Sequence, residues 1–101
     1  ETDSTIEQKT IKEITEFLNT FFKLYPTATK NELEYYVEGE VLKPINKQYV
    51  FSELINPIFT KEGKNIKVST CVKYIDQITK AIQISQYELI LNKDDNWKII
   101  K

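Results

Sequence analysis

Residues 81–92 read AIQISQYELILN, and the alternation of apolar and polar residues changes step partway through this stretch. A strand that buries one face keeps its apolar residues on one parity, because successive side chains point to opposite faces. Here the apolar residues fall first on even and then on odd positions: Ile82 and Ile84, then Tyr87, Leu89 and Leu91. One extra residue near Ser85-Gln86, a β-bulge, would bring all five onto a common face and bend the strand. The alternative is a strand buried on both faces.

Two helices are predicted before the strands. Ser4-Thr5-Ile6-Glu7 fits a capping box, and Pro26 ends the first helix because the residue before a proline is disfavoured in the α region. A second capping box at residues 29–32 opens a short helix that stops at Gly39. The apolar residues of the first helix keep the 3-4 spacing of one face: Ile11, Ile14, Phe17, Leu18, Phe21, Phe22 and Tyr25.

The second half of the chain has the period of two that is typical of strands. The predicted strands cover residues 49–60, 66–76, 80–92 and 97–101, and Asn56-Pro57 predicts an edge or a bulge in the first of them. Strand 66–76 alternates most clearly, with Ile66, Val68, Val72 and Tyr74 on one face and Lys67, Ser69, Cys71 and Lys73 on the other. Helices followed by an antiparallel meander predict an α+β fold, in which a bent sheet of about four strands forms a cone around the long helix. Residues 1–101 are predicted to form one domain.

The composition removes several kinds of chemistry. The chain has no His, and all fourteen of its basic residues are Lys, so it has neither the usual general base nor the bidentate guanidinium that binds phosphate. Its one cysteine, Cys71, has no internal disulfide partner and no His to activate it. The net charge is −1, with an acidic excess in residues 1–40 and a basic excess in residues 41–101. This distribution favours polar protein contacts over a concentrated nucleic-acid footprint.

No cofactor or metal site is predicted. Asp94, Asp95 and Asn96 lack the ligand spacing and the glycine of a calcium loop, so a solvated turn is the preferred interpretation. Two distant glycines make no phosphate-binding loop. A loose strip of lysines predicts at most weak, salt-sensitive contact with DNA and no specific readout; it comprises Lys61, Lys64, Lys67, Lys73 and Lys80.

An enzymatic or ligand-binding cone is the alternative function. Tyr49, Tyr74, Tyr87 and Trp97 would line its pocket, and Glu53 and Glu88 are the credible acids. With the bulge placed as above, Glu88 points outward. The inward positions are otherwise apolar or aromatic, so side chains are expected to fill the cone.

The sequence resembles a known family in four ordered runs and in its closing residues. FLNTFFKLYPTATKNELEYYV, LKPINKQYVFSELINPIF, VKYIDQITKAIQISQYELIL and NWKII look like the C-terminal domain of TcpC-like conjugal transfer proteins of Gram-positive conjugative transposons and plasmids. The resemblance covers nearly the whole chain from about Ile11. It rests on core and turn residues and carries no catalytic signature.

The resemblance implies a nuclear transport factor 2-like fold and a role similar to that of the VirB-eight type scaffold of type IV secretion systems. By this resemblance, the chain is the membrane-distal domain of a longer protein on the outer side of the cytoplasmic membrane. An N-terminal helix outside this chain would anchor that protein and make its only membrane contact. The implied partners are other conjugation proteins, with homo-oligomers possible, and the implied activity is non-enzymatic.

The outer face of the second strand is the predicted protein contact, together with one exposed aromatic residue. A free sheet edge is a further site, because another chain can add a strand there. The predicted contact residues are Tyr35, Lys67, Ser69, Cys71, Lys73 and Ile75.

Overall fold

The chain folds into a helical layer packed on one antiparallel sheet. The computed structural model describes residues 5–39, 42–93 and 95–100. The four strands lie in the order β1-β2-β3-β4, each beside its sequence neighbour, which confirms the predicted α+β meander. The elements are α1 (Gln8–Leu24), a 3-10 turn (Tyr25–Thr27), α2 (Lys30–Leu33), β1 (Tyr49–Glu62), β2 (Asn65–Asp76), β3 (Ile82–Lys93) and β4 (Trp97–Ile99).

Helix α1 carries the apolar face that its spacing predicts. Ile14, Leu18, Phe21 and Phe22 are buried in it, and they join the inner residues of the sheet in one core. The helix ends just before Tyr25-Pro26, as expected from the proline. The prediction for its start was wrong. The N-cap residue is Glu7, which makes no side-chain cap bond, and Ser4 lies outside the described residues.

The second capping box is confirmed. Glu32 N–H donates to the Thr29 hydroxyl, and the Glu32 carboxylate accepts from Thr29 N–H at 2.9 Å. Gly39 has a φ of +63°, a left-handed conformation that glycine adopts without strain. Residues 42–48 then cross to β1 without regular structure, and Tyr25 fixes this segment by donating its hydroxyl to the carbonyl of Lys43 at 2.9 Å.

Strand β2 is the centre of the sheet and alternates as predicted. The residues on its inner face are buried: Ile66, Val68, Thr70, Val72 and Tyr74. Residues opposite each other on antiparallel strands share a face, so Phe51, Leu54 and Phe59 of β1 are inner residues as well. Leu89 and Leu91 of β3 complete the layer against which α1 packs.

The predicted bulge at Ser85-Gln86 was wrong. Strands β2 and β3 pair without a break in register from Ile66↔Leu91 to Ile75↔Ile82. Ile82 and Ile84 therefore point to the outer face, opposite to Leu89, and are 60% and 53% exposed. The change of parity marks the part of β3 in which the outward side chains, Ile82 and Ile84, are aliphatic. Because these side chains are exposed, this part of the strand is not buried on both faces.

The register shifts lie in β1. One falls between Phe51 and Glu53, and the other between Ile55 and Ile58, around the predicted Asn56-Pro57. Asn56 has a φ of +47°, as expected for a residue that bends an edge strand. Two bulges bend β1 and increase its twist, so the bending that the sequence pattern predicts for β3 lies in β1.

Candidate functional site

The predicted contact residues of β2 do lie on the outer face of the sheet. Half-exposed side chains alternate along this strand with buried ones. Cys71 is near the middle of the strand, between Ile55 of β1 and Gln86 of β3. The outward residues of β2 are Lys67, Ser69, Cys71, Lys73 and Ile75.

Neighbouring strands extend this face with aliphatic side chains that the sequence prediction missed. Val50 and Ile82 flank Ile75 on its two sides, and Ile84 lies opposite Lys73. Val50 is 46% exposed. We call Val50, Ile75, Ile82 and Ile84 the aliphatic patch. The sequence signal for this patch is the even parity of Ile82 and Ile84, which the bulge prediction places on the inner face.

The outer face carries charged residues of both signs. Lys67 Nζ lies 3.9 Å from Glu88 Oε1, an ion pair between partly exposed side chains. Glu53 lies opposite Lys73 on the neighbouring strand. Exposed pairs of this kind add little stability. Glu62, opposite the outward residue Asn65, adds a third carboxylate, so the three-stranded face has no positive excess.

Glu53 and Glu88, the acids considered for a pocket, do not face the interior. Both are exposed, and both lie opposite outward residues of β2, Lys73 and Ser69 respectively. The prediction that Glu88 points outward is confirmed, although the bulge used to derive it does not exist. Neither carboxylate is placed to act as an acid or base on a ligand inside the cone.

Aromatic side chains fill the inner side of the sheet near β2. Tyr74 is 1% exposed and stacks on Tyr49, with the ring centroids 5.5 Å apart. Tyr87 packs against Phe22 of α1 with a centroid separation of 5.0 Å. The predicted pocket set of Tyr49, Tyr74, Tyr87 and Trp97 is not brought together, because Trp97 instead donates to Glu13 of α1.

The inner tyrosines are held in their neutral form. Burial raises the pKa of Tyr25 to about 12 and also raises the pKa of Tyr74 and of Tyr87. A phenol whose pKa is raised is a poor base at neutral pH. The Tyr74 hydroxyl is buried and has no hydrogen-bond partner among the described atoms.

Tyr35 is separate from the other predicted contact residues. It is 78% exposed in the turn after α2. There it lines an open cleft of about 670 Å³ with Asn31, Glu34, Asn96 and Lys98. Lys98 belongs to β4, which is two strands away from β2 in the sheet. The candidate residues therefore form two surfaces, the outer face and the Tyr35 cleft.

The two sheet edges differ along their length. Because β4 pairs only with Leu91, Asn92 and Lys93, residues 82–89 of β3 have no strand beside them on that side among the described residues. The edge strand β1 contains two register shifts and Pro57, which has no N–H to donate. The other edge, β4, is covered: Glu38 N–H donates to the Ile99 carbonyl, and Ile99 N–H donates to the Tyr36 carbonyl, both at 2.8 Å.

Within residues 5–39, 42–93 and 95–100, no group of three or more His, Cys, Asp or Glu side chains is placed to hold a metal ion. Asp94 of the Asp94-Asp95 pair lies outside the described residues. In the same part of the chain, no helix has the length and apolarity that a membrane crossing requires.

Comparison with known proteins gives a family and a fold. The sequence model of the family described as conjugative transposon protein TcpC matches residues 1–100. A solved structure described as an Ntf2-like protein involved in plasmid conjugation superposes with a TM-score of 0.83 at 16% identity. The match covers 98% of this chain and 40% of that chain, so this chain spans less than half of its structural neighbour. No curated protein matches the sequence. At 16% identity the structural neighbour shows the fold alone, and the fold is the expected nuclear transport factor 2-like one.

Proposed function

The chain belongs to the TcpC family of conjugative transposon proteins, and from that premise we propose that it is a non-enzymatic interaction domain of a conjugative DNA transfer complex. The complex is of the type IV secretion kind, at the Gram-positive cell envelope. The domain acts as a scaffold: a rigid sheet presents its outer face to other proteins of the complex. The domain is the distal part of a longer protein on the outer side of the membrane, and segments outside this chain anchor that protein.

The observation that carries this proposal is the contrast between the two faces of the sheet. The inner face is filled by α1 and by aromatic residues, with Val68 and Val72 fully buried. The outer face carries exposed aliphatic side chains beside charged ones. Scattered apolar residues on a surface are ordinary, whereas a contiguous group of them marks an interaction site.

The proposed partners are proteins and not specific DNA sequences. Lysines of the predicted basic strip are split between the two ends of β2, with Lys64 in the β1–β2 turn and Lys80 in the β2–β3 turn. Between them, Lys67 is paired with Glu88. A split and partly neutralised strip supports weak, salt-sensitive contact with phosphate at most.

Capture of conjugation proteins tests the proposal. The domain serves as bait with the double substitution Lys67→Glu and Lys73→Glu, which reverses charge on the outer face. The matched control is Lys12→Glu with Lys23→Glu on exposed positions of α1. We expect the outer-face variant to recover fewer transfer proteins, and the parent protein carrying it to support transfer at least about tenfold less often, because charge reversal at an interface repels the partner. Equal recovery by all three baits together with normal transfer would refute the proposal.

A further inference from the structure

The edge of β3 between the β2–β3 turn and β4 is a feature that the proposed function does not use. Strand β4 pairs with β3 only from Leu91 to Lys93, and no described strand or bridge lies beside residues 82–89 on that side. We propose that an extended segment of a partner protein adds to this edge as an antiparallel strand, in line with β4. The inference rests on the proposed role as an interaction domain, and it names the kind of contact that one partner makes.

The register shows which backbone groups face the open side of β3. In an antiparallel sheet, successive residues of a strand turn their N–H and C=O groups to alternate neighbours. Asp76 N–H donates to the Ala81 carbonyl at 2.9 Å, so the odd-numbered residues of β3 face β2. Ile100 N–H donates to the Ile90 carbonyl at 2.8 Å, so the even-numbered residues face the other side. Because the pairing of β3 with β2 has no break, the residues whose backbone groups face the open side are Ile82, Ile84, Gln86 and Glu88.

This edge lacks the features that protect a sheet edge from another chain. Such features include a proline, a bulge, a lysine within the strand or a covering segment. Strand β1 has Pro57 and two register shifts, whereas residues 82–89 contain no proline, glycine or lysine and pair with β2 without a shift. A regular stretch of this length spans roughly 26 Å, which is enough for a partner strand of ordinary size.

The backbone chemistry of the edge selects the class of partner. A row of alternating donors and acceptors at strand spacing is matched by another extended peptide backbone. In strand addition of this kind, main-chain hydrogen bonds give the affinity and side chains at alternate positions give the specificity. A lipid headgroup or a sugar has no repeat that fits the row.

The side chains along the edge define the partner sequence that suits it. Ile82 and Ile84 are exposed on the outer face, so β-branched side chains suit the partner positions opposite them. Glu88 is exposed on the same face, so a lysine or an arginine suits the position opposite it. Tyr87 points inward and packs on Phe22 of α1, so an apolar side chain opposite Tyr87 extends the core.

The same side chains disfavour a second copy of this chain as the occupant. Two β3 edges that overlap fully around a two-fold axis would pair Ile82 with Glu88 and Ile84 with Gln86 across the contact. Each pair sets an aliphatic side chain beside a polar or charged one and loses the cross-strand contacts that stabilise a sheet. The edge is therefore complementary to a different sequence, which has a basic residue at one end and aliphatic residues at the other.

A seven-residue probe peptide tests the proposal. From its amino end the peptide reads lysine-valine-threonine-threonine-valine-threonine-valine, which sets its lysine opposite Glu88 and its last valine opposite Ile82. With the chain labelled with ¹⁵N and peptide added to about 1 mM, we expect the amide signals of residues 82–88 to shift most. N-methylation of the third and fifth peptide residues blocks amides that face β3 and is expected to weaken binding at least about tenfold. The matched control, methylated at the fourth and sixth residues, blocks amides that face away and is expected to bind within about twofold of the parent peptide.

Substitution of Gln86 separates the backbone of the edge from its side chains. Gln86→Pro removes an N–H that faces the open side and leaves the bonds to β2 in place. We expect it to weaken peptide binding at least about tenfold, and Gln86→Ala, which keeps the N–H, to change the dissociation constant by less than about twofold. The fluorescence of Trp97 confirms that each variant is folded. The methylated peptides need no substitution in the protein, so they decide the question even if Gln86→Pro does not fold.

Amide hydrogen exchange of the free chain gives an independent readout. The amides of Ile84 and Gln86 are expected to exchange at least about 100-fold faster than those of Gln83 and Ser85, which are bonded to β2. Addition of the probe peptide is expected to slow the exchange of Ile84 and Gln86. Equal protection of the two sets in the free chain would overturn the proposal, because the edge would already be covered.

The remaining outcomes distinguish this inference from the proposed function. If both methylated peptides bound alike, or the peptide shifted only signals of β2, the edge would not be a site of strand addition. Capture of conjugation proteins that still depended on Lys67 and Lys73 would then leave the proposed function standing. Capture that is lost in Gln86→Pro and kept in Gln86→Ala would support both. If neither the edge nor the outer-face substitutions affected capture, both would be wrong.

Discussion

Ile75 and Ile82 lie directly opposite each other on β2 and β3, with both side chains on the outer face of the sheet. This pairing is the end of an unbroken register that places Leu89 and Leu91 inside. The change of parity in β3 therefore reflects a change in what the outer face is made of. The outward residues Gln86 and Glu88 give way to Ile84 and Ile82 towards the β2–β3 turn, and the strand itself is regular.

The register can be tested by comparing two substitutions in β3. Ile84→Thr is expected to change the free energy of unfolding by less than about 0.5 kcal/mol, because the side chain is already 53% exposed. Leu89→Ala is expected to cost about 2–5 kcal/mol, because Leu89 is 2% exposed and its loss leaves a cavity. Urea denaturation followed by Trp97 fluorescence measures both. Similar large losses for the two variants would instead indicate that Ile84 is an inner residue.

Local patterns predicted the elements and their inner faces well. The 3-4 spacing in α1, the second capping box and the strict alternation in β2 depend on residues close in sequence, and the structure confirms all three. The outward position of Lys67, Cys71 and Lys73 followed from the same alternation.

The position of the bulges could not be predicted in the same way. Phe51 and Leu54 in β1 break parity just as Ile84 and Tyr87 do in β3, but only β1 has a register shift at that point. A bulge and a switch to outward apolar residues give the same local pattern. The pairing with the neighbouring strand decides between them, and that pairing involves residues distant in sequence.

The candidate site was incomplete for the same reason. Alternation within β2 identified one strand of the outer face, but only the register shows that Val50 and Ile82 lie beside Ile75. The Tyr35 cleft also depends on a distant contact, with Lys98 of β4. Nothing in the sequence around Tyr35 predicts that this cleft lies apart from the outer face of β2.

The left-handed conformation at Asn56 leads to a prediction about the bulge in β1. Asn56→Ala is expected to cost about 1 kcal/mol of stability. Asparagine tolerates a positive φ because its short polar side chain can hydrogen-bond locally, and alanine has no such group. Asn56→Gly is expected to be nearly neutral, since glycine adopts this conformation readily. Thermal or urea unfolding of the pair measures the difference. If Asn56→Ala were as stable as Asn56→Gly, the positive φ would not be retained in solution.

Two buried tyrosines are expected to respond oppositely to loss of their hydroxyl groups. Tyr25→Phe removes a 2.9 Å hydrogen bond to the Lys43 carbonyl and is expected to cost about 1 kcal/mol. Tyr74→Phe removes a buried hydroxyl that has no partner among the described atoms, so we expect no loss or a gain of up to about 1 kcal/mol. Each variant is the other's control in urea unfolding. Marked destabilisation by Tyr74→Phe would show that its hydroxyl is hydrogen-bonded in solution, for example to a buried water.

The final prediction concerns the contact between α1 and the β3–β4 hairpin. Glu13 Oε1 accepts hydrogen bonds from Lys93 Nζ at 3.1 Å and from Trp97 Nε1 at 3.3 Å. These bonds hold the pKa of the Glu13 carboxyl below its ordinary value of 4.5, the bond from Lys93 contributing most. A lowered pKa in the folded state means that the charged form stabilises the fold. This stabilising contribution is fully present at pH values above the pKa that Glu13 has in the unfolded chain. It is lost as the pH falls through the lower pKa that Glu13 has in the folded protein.

Because Trp97 is the only tryptophan, its fluorescence reports this protonation directly. In the folded protein we expect the emission of Trp97 to change with a midpoint below pH 4.5, as the protonated carboxyl weakens its bond to the indole N–H. Glu13→Gln is expected to abolish this transition and to reduce the loss of stability on acidification. Glu16→Gln, at an exposed position one turn along α1, is the matched control and is expected to leave the transition in place. An unchanged transition in Glu13→Gln would show that another carboxylate is responsible and that the helix is not held to the hairpin by this contact.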